Sequence, residues 1–177
     1  MSAGGLAGIT AGTTELSFID GQEGLLVYRG YDIRDLARES TYEETVYLLW
    51  YGRLPTQPEL ESFSQELAEA RRLTSEQLDV LASLPKKALP MEVLRAMVAR
   101  QALTDPDRED VSPEATRRVG LRLVGVFPLI VGAFHRLRQG KEYKAPPAGL
   151  SHAASFLYAM HGKPPSEDQA HVMDVAL

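Results

Sequence analysis

The sequence of 177 residues contains no cysteine. This absence excludes disulfide frameworks, zinc–thiolate centres, iron–sulfur clusters and thiol nucleophiles. The chain also lacks the roughly 18 uninterrupted apolar residues that a membrane span needs, because glycines, Arg122 and Pro128 break up its most apolar region, residues 119–134. No basic segment followed by an apolar one opens the chain, so we expect no secretory signal. These absences predict a cytoplasmic protein without a membrane span.

Basic charge is scarce as well, because 19 Lys and Arg face 24 Asp and Glu and give a net charge of -5. A nucleic-acid surface requires clustered cations, so we expect no nucleic-acid partner. The remaining composition, 44% hydrophobic and 24% charged, is typical of a globular domain. The length suits one domain or one large piece of a bigger one.

Two short β-prone runs near the N-terminus, residues 15–19 and 25–29, flank Gly21 and Gly24. Glycine adopts the positive φ angles of tight turns at little cost, so this pattern predicts a β-hairpin.

Helix start and stop residues recur through the rest of the chain. The capping-box pairs are Thr41 with Glu44, Thr56 with Glu59, Thr74 with Gln77, and Ser166 with Gln169. Further helices are predicted to begin at Pro90 and Ser112, and helices are predicted to end at Gly52, Gly140 and Gly162. We therefore expect an N-terminal arm and β-hairpin over residues 1–31 and a helical array over residues 32–177, a mainly α fold.

The longest predicted helix, from Ser112 to Gln139, is apolar nearly all round in its middle. Such a helix is buried on several sides. Gly125 and Gly132 would let a neighbouring backbone approach it. Two interpretations remain open, a central core helix within one chain or an oligomer interface.

Candidate catalytic groups are few. The four histidines are His135, His152, His161 and His171. None stands in a metal-binding spacing, and a structural or surface role is the commoner one. The arginines of two helices, Arg95, Arg100, Arg117, Arg118 and Arg122, could meet an anionic ligand, although a solvated helix face is the simpler explanation. Motif chemistry alone therefore predicts no specific activity and no metal site.

The helix that begins after Ser166 has no terminating signal, since the chain stops on Val175, Ala176 and Leu177. This pattern indicates a chain cut short.

Several strings in a fixed order resemble one family. They include Tyr-Arg-Gly-Tyr-Asp-Ile at residues 28–33, Leu-Leu-Trp-Tyr-Gly at residues 48–52 and Leu-Ser-His-Ala-Ala at residues 150–154. From Gly5 to Leu177 the chain resembles the N-terminal portion of bacterial and archaeal citrate synthases and 2-methylcitrate synthases. A small departure is Ser155, where many relatives carry asparagine.

The resemblance implies a nearly all-α, dimeric enzyme of the tricarboxylic acid cycle with a large and a small domain. It condenses acetyl-CoA or propionyl-CoA with oxaloacetate, using an aspartate base and two histidines and no tightly bound cofactor or metal. The family's catalytic positions lie beyond Leu177, so this chain alone is expected to be inactive and to contain no catalytic or cofactor-binding residue. The acyl-CoA preference stays open.

The resemblance also implies that residues 91–103 and 118–139 pack across a two-fold axis. The interface residues predicted in this way are Leu94, Met97, Val98, Leu121, Val124, Phe127, Ile130, Val131 and Phe134. We expect a homo-oligomer or pairing with a longer citrate-synthase-like chain. Two alternatives are a truncated, non-catalytic paralogue that acts as an interaction subunit, and a small binding domain unrelated to acyl-CoA.

Overall fold

A computed structural model describes residues 12–177 of the chain. The N-terminal part forms a three-stranded antiparallel sheet in the order β1-β2-β3. Its strands are β1 (Ser17–Asp20), β2 (Leu25–Tyr28) and β3 (Tyr31–Asp32). The predicted hairpin is confirmed with slightly shifted ends, and most of the predicted arm lies outside the described residues.

The third strand was not predicted, because it pairs over only two residues, with Val27 opposite Asp32 and Tyr28 opposite Tyr31. The two residues between β2 and β3 both have positive φ, 48° at Arg29 and 91° at Gly30. Two consecutive positive φ angles match the twist of a tight hairpin. The glycine supplies its angle at little cost. Arg29 is held by two hydrogen bonds, from its backbone amide to the Leu16 carbonyl oxygen at 3.0 Å and from Nη2 to the Leu49 carbonyl oxygen at 3.2 Å.

Eight helices follow within the described residues, and they confirm the predicted mainly α array. They are α1 (Ile33–Glu39), α2 (Tyr42–Tyr51), α3 (Gln57–Ala70), α4 (Ser75–Ser83), α5 (Pro90–Thr104), α6 (Pro113–Arg138), α7 (His152–His161) and α8 (Glu167–Ala176).

Local capping sets the helix ends as the sequence predicts. At the start of α2 the Thr41 hydroxyl accepts a hydrogen bond from the Glu44 amide, and the Glu44 carboxylate accepts one from the Thr41 amide at 2.7 Å. At its other end Gly52 takes a left-handed conformation with φ 78°. These contacts satisfy backbone groups that a helix end leaves free, so the chain turns at these points.

Helix α6 lies at the centre and packs against α3, α4, α5 and α7. The main core cluster joins it to α4 and α5, and its buried members are Leu81, Val93, Met97, Val126, Ile130, Ala133 and Phe134. A second cluster of Val46, Tyr47 and Phe63 joins α2 to α3. The core is therefore built around one long helix.

Two glycines of α6 permit close helix contacts, as the sequence predicts, but towards two different neighbours. A Cβ at Gly125 would lie 2.9 Å from the carbonyl carbon of Ala70 at the end of α3. A Cβ at Gly132 would lie 2.6 Å from the Cβ of Ala159 in α7. Any side chain at either position would push a neighbouring helix away.

Within residues 12–177, α6 is the one helix whose length and composition would allow it to cross a membrane. The expectation of no possible span, which rests on the interrupting glycines, Arg122 and Pro128, is therefore too strict for this helix when only length and composition are considered. In the fold, α6 packs against four other helices, and this accounts for the apolar composition of the sides that face them.

Candidate functional site

A buried polar cluster connects three helices near the N-termini of α2 and α7. The carboxylate of Glu43, which is buried, accepts a hydrogen bond from the backbone amide of His152 at 2.7 Å. The Asp174 carboxylate of α8 accepts one from the backbone amide of Tyr42 at 3.1 Å. Each carboxylate thus caps the first turn of another helix, where the amides are unpaired and the helix dipole favours negative charge.

The imidazole of His152 lies inside this cluster. Its ring stacks on Tyr42, with centroids 4.6 Å apart and an interplanar angle of 17°. Its Nδ1 is buried and has no hydrogen-bond partner among the described residues. Burial, and then the positive charge of Arg71, lower the pKa of His152 to about 3. The ring is therefore neutral at pH 7 and a poor proton acceptor, which fits packing rather than general base catalysis.

Arg71 joins the end of α3 to the start of α7. Its Nη1 donates to the carbonyl oxygens of Leu150 at 3.1 Å and Ser151 at 2.9 Å, and to the hydroxyl of Ser155. Burial lowers the pKa of Arg71, and the charge of Glu43 opposes that effect. The Arg71 guanidinium thus holds the loop that precedes α7 against the end of α3.

An open cleft of about 900 Å³ borders this cluster. Its lining includes Glu43, Arg71 and Ser155, and its apolar wall comes from α3 and residues 143–151. Most of the lining that faces the cleft is apolar or already hydrogen-bonded within the chain. Within residues 12–177, the lining of this cleft contains no histidine, so it holds no histidine–carboxylate pair that could act in acid–base catalysis.

Asp174 sits where burial disfavours its charge. Burial raises the pKa of this carboxyl, and the neighbouring charges of Glu43 and Glu44 add to the effect, while the hydrogen bond from Tyr42 opposes it. The contact between α8 and α2 therefore depends on a carboxylate held in an unfavourable environment.

The other histidines lie elsewhere. His135 in α6 is within 2.9 Å of the Gln139 side chain, and His161 and His171 are exposed. Among residues 12–177, no group of three His, Asp or Glu side chains is arranged to hold a metal ion.

Three of the five arginines proposed as an anion site, Arg100, Arg118 and Arg122, pair with carboxylates of this chain. Arg122 in α6 forms a two-pronged contact with Asp105, at 2.9 and 2.6 Å, and also reaches Asp107 at 2.6 Å. Arg118 pairs with Asp107 as well, and these hydrogen bonds lower the pKa of Asp107 to about 2. The two arginines therefore fix the loop between α5 and α6 instead of facing a ligand.

The predicted interface residues divide into two groups. Met97, Ile130 and Phe134 are exposed by 2% or less and belong to the core of this single chain. Helices of this chain already cover these three side chains, and their assignment to an interface stays a prediction. The other six are partly exposed, and for them the interface assignment stays a prediction: Leu94, Val98, Leu121, Val124, Phe127 and Val131.

The chain thus has a mainly helical fold. A small antiparallel sheet comes first in the sequence, and the helices that follow pack around one long helix, α6. The sequence profile described as the C-terminal domain of citrate synthase matches residues 5–177. This match covers nearly the whole chain. The chain belongs to the citrate synthase family.

Comparison with individual relatives gives the same family. The citrate synthase of Haloferax volcanii is 44% identical over an alignment of 177 positions, which covers 98% of this chain and 47% of that protein. The 2-methylcitrate synthase of Mycobacterium tuberculosis is 39% identical and covers 91% of this chain and 40% of its own length. The crystal structure of citrate synthase from Pyrobaculum aerophilum superposes with a TM-score of 0.89 at 38% identity, over 97% of this chain and 45% of that one.

The chain therefore spans about half the length of the relatives that it matches. The matching profile carries the name of a C-terminal domain, whereas the resemblance in the sequence places these residues in the N-terminal portion of the enzymes. The N-terminal placement stays a prediction.

Proposed function

We propose that this chain supplies part of the large domain of a citrate-synthase-type acyltransferase and that it does not catalyse by itself. The observation that carries the proposal is the length of the match. Family similarity runs from residue 5 to residue 177, yet the same residues make up only 47% of the Haloferax relative.

The reaction in question removes a proton from the α-carbon of an acyl-CoA and joins that carbon to the carbonyl carbon of oxaloacetate. Water then hydrolyses the thioester and releases CoA. Support comes from the names of the relatives, which include both citrate and 2-methylcitrate synthases. The acyl donor would accordingly be acetyl-CoA or propionyl-CoA, bound as a substrate. A cytoplasmic location is part of the same proposal.

The lack of activity in the isolated chain has support in the described residues. Carbon–carbon bond formation of this kind needs a carboxylate base and groups that polarise two carbonyls. The most deeply buried histidine, His152, has a pKa of about 3 and its ring stacks on Tyr42. Arg118 and Arg122 are paired with Asp107 and Asp105 and so are not free to polarise a carbonyl.

Release of the CoA thiol by the purified chain tests this proposal. With acetyl-CoA or propionyl-CoA and oxaloacetate we expect no turnover above the rate without protein. Turnover in proportion to the chain concentration would contradict the proposal.

We also propose that the chain associates through the outer face of α5 and α6, with a second copy or with a longer family member. The partly exposed apolar residues of α6, among them Val124 and Val131, support this assignment. Met91 and Leu103 of α5 are also more than 70% exposed. Exposed apolar side chains mark an association site where they lie side by side, and we take these residues to do so.

A further inference from the structure

One end of the molecule is cationic in an otherwise acidic chain. Between His135 and Pro165 the sequence contains five lysines and arginines and a single carboxylate, Glu142. The next carboxylates along the chain, Glu167 and Asp168, belong to the first turn of α8. None of these five cations takes part in a salt bridge within the part of the chain that the structure describes.

The fold brings these charges together because α6 and α7 end side by side. Gly132 lies against Ala159, and one turn further the Arg136 side chain lies against Gly162. The pKa of His135 reflects how close these cationic groups are to its imidazole ring. Burial lowers its pKa first, and repulsion by four neighbouring cationic groups lowers it further, those of His161, Lys141, Arg138 and Arg136.

Arg136 is the centre of this end. Its side chain is only 8% exposed, and among residues 12–177 its one hydrogen bond runs from Nε to the Glu142 carbonyl oxygen at 2.7 Å. The terminal nitrogens lie beside the Gly162 backbone, where a Cβ would be 2.6 Å from Nη1. A buried guanidinium is thus held in one orientation with no carboxylate partner, which is an uncommon arrangement.

The negative ends of the helix dipoles offset only part of the positive charge at this end of the molecule. Each helix C-terminus carries the equivalent of about half a negative charge, so the ends of α6 and α7 together offset about one positive charge. Arg136, Arg138 and Lys141 alone bring three. The surface stays cationic, and a guanidinium held in a fixed plane matches the two oxygens of a phosphate or a carboxylate.

We propose that the adjoining C-terminal ends of α6 and α7 bind a phosphate- or carboxylate-bearing anion, with the Arg136 guanidinium as the main donor and Arg138 and Lys141 as supporting charges. This site lies outside the apolar face proposed for association and does not depend on the family assignment.

The test titrates the whole chain with inorganic pyrophosphate and with succinate, each compared with sodium chloride at equal ionic strength. The readout is the amide NMR signals of Gly140 and Gly162, which lie at this end. We expect a saturable shift with at least one of the two anions, and the anion that saturates identifies the ligand class. Arg136→Gln should weaken binding about ten-fold, as expected for loss of a charge-assisted hydrogen bond.

Arg136 is buried, so its substitution alone could disturb folding. Arg138→Gln and Lys141→Gln, at more exposed positions, should each weaken binding about two- to five-fold. The matched control is Arg117→Gln, which removes the same charge from the same helix about 28 Å away by helix rise and should leave the affinity unchanged. A response no larger than that to sodium chloride, or equal weakening by Arg117→Gln and Arg138→Gln, would overturn the proposal.

Discussion

The carboxylate of Glu43 and the backbone amide of His152 are 109 residues apart in sequence and are joined by a hydrogen bond of 2.7 Å. The acceptor belongs to the first turn of α2 and the donor to the first turn of α7. Since Asp174 of α8 caps α2 in the same manner, three helices are held in a fixed relation by two carboxylates. Part of the fold therefore depends on buried polar contacts as well as on apolar packing.

Glu43→Ala is expected to destabilise the chain by about 2 to 3 kcal/mol, because it removes a buried charged acceptor and leaves the His152 amide unpaired. Glu43→Gln keeps an acceptor of similar shape and should cost less. Urea unfolding at pH 7 measures both. The control is Glu61→Ala on the exposed face of α3, which should change stability by about 0.5 kcal/mol or less. Equal effects at Glu43 and Glu61 would show that the cap contributes nothing.

His152 should make the chain acid-sensitive. The pKa in the folded state, about 3, is below the ordinary value near 6.5, so the unfolded chain binds a proton more readily. Stability from this group is complete above pH 6.5 and is lost as the pH falls towards 3. Between pH 7 and pH 5 the loss from His152 alone should be about 2 kcal/mol.

The variant His152→Phe isolates this effect, because it keeps an aromatic ring against Tyr42 and cannot be protonated. The free energy of unfolding, measured at pH 7 and pH 5 for both proteins, should fall further in the parent chain. Parallel pH profiles would mean that His152 is not neutral and buried.

Gly162→Ala and Gly140→Ala form a matched pair. Both glycines have nearly the same positive φ, 72° and 73°, so an alanine at either costs about 1 kcal/mol in backbone conformation. Only at Gly162 would the added Cβ meet a neighbour, the Arg136 guanidinium. Thermal unfolding should therefore show the larger loss for Gly162→Ala, and equal losses would contradict the close contact with Arg136.

The proposed association face is tested by Val124→Glu and Val131→Glu, which put a charge on the outer side of α6. Sedimentation at micromolar concentration should show oligomers for the parent and a shift to monomer for these variants, because a carboxylate in a buried apolar contact is costly. Val172→Glu is the control, since Val172 lies on α8 and is 68% exposed. A monomeric parent chain would remove the basis of this prediction.

Local signals in the sequence predicted the helix ends well. The pair Thr41 and Glu44 and the left-handed Gly52 act over three or four residues, so their geometry follows from the order of the residues. The hairpin followed from the same kind of local evidence. The short strand β3 was missed, because two paired residues leave no alternating pattern.

Contacts between distant residues could not be predicted from the pattern. The carboxylate of Glu43 looks like an ordinary first-turn acid, and only the fold brings it to His152. For the same reason the pairing of Arg122 with Asp105, 17 residues earlier, was not foreseen. A helix that is apolar all round, such as α6, also gives no sign of which side faces its own chain. The resemblance assigned Ile130 and Phe134 of α6 and Met97 of α5 to an interface, and all three side chains are buried within this chain.

The most direct test of the proposed function is thiol release from acetyl-CoA and from propionyl-CoA in the presence of oxaloacetate, over a range of concentrations of the purified chain. A full-length citrate synthase under the same conditions shows that the assay detects turnover. We expect a rate equal to that of the buffer at every chain concentration. A rate that rises in proportion to the chain and persists through further purification would contradict this expectation, because the catalytic groups would then lie within these 177 residues.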